Sequence, residues 1–82
     1  MTITVQGANR VIYANKTGSS IDLTLGASGQ IAFDVNAPGA AAVRHVIAPQ
    51  GGAISFSVPS NANVDANVGG QASVQVEFLH VR

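Results

Sequence analysis

Cysteine and tryptophan are missing from this chain, and charge is scarce. Without cysteine there are no disulfides and no thiolate metal sites. Two histidines far apart in sequence, His45 and His80, are thin material for a structural zinc, so no metal and no cofactor is expected. Eight charged residues in 82 amount to 10%, four of each sign, against about 25% in an ordinary soluble domain. Arg10, Lys16, Arg44 and Arg82 stand singly, without the basic stripe that phosphate binding needs, which argues against a nucleic-acid partner. No run of 18 apolar residues occurs, so no membrane-spanning segment is expected. The opening "MTITVQGANR" has neither the basic start nor the apolar core of a secretory signal, and the chain is expected to be made and kept without Sec export.

Size sharpens what these absences mean. A chain of 82 residues builds one domain, 1–82, because a second core needs more material. At 8.3 kDa it should expose roughly 4,600 Å² and bury only about 60 to 65% of its unfolded surface, a marginal position that small domains usually relieve with a staple. Disulfides being excluded, oligomerisation is the remaining common remedy. A net charge of zero favours association in the same way. The surface reads as one meant to be covered.

Helix signals are nearly absent too, while β-branched residues recur with a period of two. Candidate strands are "TITVQ", "RVIYAN", "SIDLTL", "QIAFDVN", "AVRHVIA", "AISFSV" and "ASVQVEFLHV", at intervals of about ten residues, the spacing of a sandwich or barrel. The chain is therefore expected to be all-β, a small antiparallel β-sandwich or jelly-roll-like barrel of about 6–8 strands without significant helix. Turn chemistry supports the boundaries. Pro38 and Gly39 suit the middle of a type II turn, and Pro49 with Gly51 a type I turn; Pro59 ends the sixth strand because it cannot donate to a ladder. Four apolar rows make the expected core: Ile21, Leu23 and Leu25; Ile31, Phe33 and Val35; Ile54, Phe56 and Val58; Val74, Val76 and Phe78.

Three segments have apolar residues in both phases: "VIYA", "VRHVI" and the end of the chain, where Leu79 and Val81 fall on the face that Ser73, Gln75 and Glu77 make polar. One small sandwich cannot bury so much, which implies a second covering surface from another subunit. Residues 60–71, "SNANVDANVGGQ", read as a long loop, either an extended arm hinged at Gly69 and Gly70 or a solvated Ω-type loop.

Each candidate chemical site fails on a named requirement. Asn61, Asn63 and Asp65 fit the first three ligand positions of a calcium loop, but Ala66 stands where the glycine is required and Ala72 where the bidentate glutamate belongs. No carboxylate sits beside His45 or His80 to complete an acid and base. Ser28 lacks the strand-to-helix setting of a nucleophile elbow. The sequon at Asn15 to Thr17 lacks the secretory route that would use it. No catalytic activity is expected. A glycan-binding module is the alternative, with Tyr13 as its one candidate platform outside the core. A third reading is an adaptor that adds a terminal strand to a partner's sheet.

In overall character, through stretches such as "SIDLTLGASGQIAFDV" and "VPSNANVDANVGGQASVQVEFLHV", the chain resembles the small all-β proteins of tailed-phage virions of the capsid cement or decoration type. The resemblance implies a virion structural protein, assembled in the host cytoplasm, that forms homo-oligomers, typically trimers, and bridges subunits of a major capsid protein. On that reading Leu79 and Val81, with Val46 and Ile12, face another chain. Asn61, Asn63 and Asp65 lie against a neighbour.

Overall fold

The computed structural model describes residues 2–7, 10–69 and 72–82. Among them are eight strands and no helix: β1 (Thr2–Gln6), β2 (Arg10–Ala14), β3 (Ile21–Ala27), β4 (Ile31–Asn36), β5 (Val43–Ile47), β6 (Gly52–Val58), β7 (Asn63–Asn67) and β8 (Ser73–Val81). They form two four-stranded antiparallel sheets, sheet A in the order β1-β8-β3-β6 and sheet B in the order β2-β7-β4-β5. Pairing is nested: β4 with β5, β3 with β6, β2 with β7 and β1 with β8. Successive nested pairs alternate between the sheets, as when one long hairpin is rolled up, and this is the jelly-roll arrangement. The solvent-accessible surface is 4579 Å², close to the value set by mass alone.

Alternation along each strand dictates which side chains meet between the sheets. Sheet A contributes Val5, Ile21, Leu23, Leu25, Phe56, Val58, Val74 and Val76; sheet B contributes Ile31, Phe33, Val35, Ile47, Val64 and Ala66, with Ala62 just ahead of β7. Ile54 and Phe78, the remaining members of the expected rows, are half-buried against this cluster. Phe33 lies opposite Ala66 in the β4–β7 register, both fully buried, so a large side chain faces a small one and the layer fills without strain. At the expected type II turn the Ala40 N–H donates to the Ala37 carbonyl at 3.2 Å and Gly39 has φ 75°, a left-handed value that glycine adopts without cost.

Residues 60–71 differ from expectation. The described part, 60–69, is not one long loop or a detached arm: Asn63–Asn67 is β7, an interior strand of sheet B held between β2 and β4. Val64 and Ala66 of β7, with Ala62 just ahead of it, are fully buried. Gly70, half of the expected hinge, and Gln71, the end of the expected segment, lie outside the described residues.

The two-phase end of the chain also resolves differently. In the β3–β8 register Thr24 faces His80 and Leu25 faces Phe78, leaving Leu79 as an extra residue, a β-bulge. A bulge shifts the phase of everything beyond it. Val81 therefore returns to the inward side, opposite Leu23, rather than sharing a face with Leu79, although it remains 42% exposed at the end of the strand.

Candidate interaction surface

Among the described residues five large hydrophobic side chains are exposed: Val11, Val43, Val46, Leu79 and Val81. They do not form one patch. Leu79 stands on the outer side of sheet A, where it lies across Gly26; a Cβ on Gly26 would come 3.3 Å from Leu79 Cδ1. Val46 faces outward from sheet B opposite Ala32, and Val11 faces outward from the far edge of the same sheet opposite Asp65. Leu79 and Val46 thus occupy opposite faces of the sandwich, and no single flat partner touches both. Ile12 is placed differently from the other three residues expected to face another chain. It is the extra residue of a second bulge, between Val11 and Tyr13, and packs half-buried against the chain's own core.

Outside these points both outer faces carry small polar groups. On sheet A, Thr24 and Ser55 share a hydroxyl hydrogen bond at 2.7 Å, and the Ser57 hydroxyl donates to Asp22 Oδ1 at 3.1 Å. On sheet B, Arg44 donates from Nε to Asp34 Oδ1 at 2.7 Å and from a terminal nitrogen to Oδ2 at 2.9 Å. This fork holds the Asp34 carboxyl below its usual range, chiefly through the hydrogen bonding and against a smaller desolvation effect; it raises the Arg44 guanidinium correspondingly. Asp65, beside Asp34 in the register, accepts at Oδ2 from Asn36 Nδ2 at 2.7 Å. Asn63 and Asp65 project from one face of a strand, and Asn61 sits in the preceding turn with φ 64°. They do not wrap a common centre, as the tight ligand loop of a calcium site requires.

The histidines are separated. His45 extends from β5 and stacks on Phe56 of the other sheet, centroids 4.7 Å apart and planes 12° apart. His80 lies on β8 and accepts at Nε2 from Arg82 Nε at 2.7 Å. The His45–Phe56 stack lines an apolar groove of about 440 Å³ together with Val35, Val43 and Pro59. Tyr13, the candidate sugar platform, turns its ring edge-on to Phe78 with centroids 6.2 Å apart.

Asn15 has a role that sequence reasoning missed. It is the buried polar residue of the core region, at 0% exposure. Its Nδ2 donates to the carbonyls of Ser19 (2.8 Å), Val58 (3.0 Å) and Pro59 (3.1 Å), while its Oδ1 accepts from the N–H (3.0 Å) and hydroxyl (2.7 Å) of Thr17. The sequon is a structural staple, and its nitrogen is committed. The signal was the pairing of Asn15 and Thr17 itself, since short polar side chains bond to backbone two residues away in such turns. Set beside known proteins, the chain matches no family pattern, no curated protein and no solved structure.

Proposed function

We propose that the chain is a structural assembly protein of a virion, a capsid cement or decoration protein that associates with itself and binds across subunits of a major capsid protein. The observation that carries this reading is the display of Leu79 and Val46, each about half exposed, on opposite faces of an almost uncharged sandwich. Contacts between unlike faces are heterologous; they close into rings such as trimers or continue as a lattice. Eight-stranded jelly rolls are a common building material of viral shells. Many weak apolar contacts of this kind, multiplied by symmetry, stabilise a shell without any single strong one. The glycan-binding alternative draws no comparable support, because the Tyr13 ring lies against Phe78.

Two measurements test the reading. Light scattering over a dilution series should return a multiple of 8.3 kDa, and the protein should sediment with tailed-phage capsids. Leu79→Lys should lower the mass and weaken sedimentation while the circular dichroism spectrum is unchanged. A wild-type chain that stays monomeric and sediments with no capsid would sink the proposal.

A further inference from the structure

Of the four edge strands, three carry a device that blocks further pairing. At β1 the Arg10 guanidinium donates to the Thr4 carbonyl at 3.2 Å. β2 bears that arginine and a bulge, and β5 bears Arg44. Charges and bulges are how natural sheets blunt their edges. β6 has no charge, no proline and an unbroken register against β3, and its seven residues exceed the five of each other edge strand.

The direction of the β6 backbone follows from β3. Asp22 and Arg82 exchange backbone hydrogen bonds of 3.0 and 2.9 Å, so Asp22 turns its N–H and C=O toward β8. Paired and unpaired directions alternate along a strand. Ile21, Leu23 and Leu25 therefore turn toward β6, and their register partners Val58, Phe56 and Ile54 turn back toward β3. Ala53, Ser55 and Ser57 direct their N–H and C=O outward, away from the sheet.

We propose that this edge pairs with the β6 edge of a second copy of the chain, antiparallel about a two-fold axis through Ser55. In that register Ser55 faces Ser55 and Ala53 faces Ser57 of the second copy, so all three outward-turned residues exchange both backbone hydrogen bonds. Between them Ile54 meets Phe56 of the second copy on the inward side, an aromatic and β-branched pair of the kind that stabilises sheets. The groove bounded by Val43, His45 and Phe56 gives those side chains apolar surroundings. Neither β6 strand carries charge, so no like charges meet within the pair. This self-matching register is what favours a second copy over a foreign strand. The inference rests on the self-association in the assembly reading, but uses neither Leu79 nor Val46, so the two-fold contact coexists with contacts through those faces.

The test exploits the missing cysteine. Ser55→Cys introduces a single thiol, and a hydrogen-bonded antiparallel pair holds its Cα atoms about 5.5 Å apart, within disulfide reach. Mild oxidation should link S55C into a dimer and leave S20C, exposed just ahead of β3, unlinked. Ser55→Pro removes an N–H that serves no pairing within the chain; it should raise the dimer dissociation constant at least roughly tenfold. Ala53→Lys, which charges the edge and leaves the backbone intact, should act in the same direction with a native circular dichroism spectrum. A self-associating chain in which S55C fails to cross-link and A53K dissociates no more readily than wild type overturns the edge contact and leaves the assembly reading standing. A monomer that sediments with capsids also overturns the contact alone; a monomer that sediments with none overturns both.

Discussion

The side-chain amide of Asn15 donates to the Val58 carbonyl at 3.0 Å, tying the end of β2 in one sheet to the end of β6 in the other across 43 residues of chain. Asn15→Ala leaves the buried Val58 carbonyl without that donor and removes a donor from the part-buried carbonyls of Pro59 and Ser19, the latter keeping the Thr17 hydroxyl. Buried polar groups deprived of a partner cost about 1 to 3 kcal/mol apiece, and partial relaxation brings the expected loss to about 3 kcal/mol in urea denaturation. A loss within experimental error would mean that the turn after Asn15 holds without it.

Val64 is fully buried in β7. Val64→Ala should cost about 2 to 3 kcal/mol, since a buried branched side chain is truncated and a cavity left. A detached arm would register a change within about 0.5 kcal/mol, so one denaturation curve separates an interior strand from a loop.

Acidification should expose the contribution of Asp34. Its carboxyl titrates lower in the folded chain than its ordinary value of 3.8 because Arg44 binds the ionised form. The stabilisation is fully present above that ordinary value and disappears as pH falls through the lowered one. Wild type should therefore lose stability more steeply than Asp34→Asn between about pH 5 and pH 2, and added salt should narrow the gap because the pair is exposed. Parallel pH profiles would show that the fork contributes nothing measurable.

Period-two patterning made seven of the eight strands legible, with the four core rows in their correct phase, because a strand buried on one face must alternate and these do. β7 escaped. Its outward positions are Asn63, Asp65 and Asn67 and its buried ones include only alanine and valine, so β-propensity pointed to a turn where packing against Phe33 demanded a small partner. The bulges at Ile12 and Leu79 were invisible for a related reason: alternation carries no mark for an inserted residue, and the phase of Val81 depends on a register that only pairing with β3 defines. The scattered exposure of Leu79 and Val46 could not be foreseen without knowing which sheet each strand joins.

The nested order of pairs also has a consequence in time. β1 has a single partner, β8, and Thr2 meets Glu77 there, so the first strand waits unpaired until nearly the whole chain exists. Closing so long a loop directly is entropically unfavourable. The local β4–β5 pair closes a short one, and each pair that follows shortens the loop left for the next. On loop-closure grounds assembly is expected to proceed outward from the middle of the sequence, with the β1–β8 pair closing last.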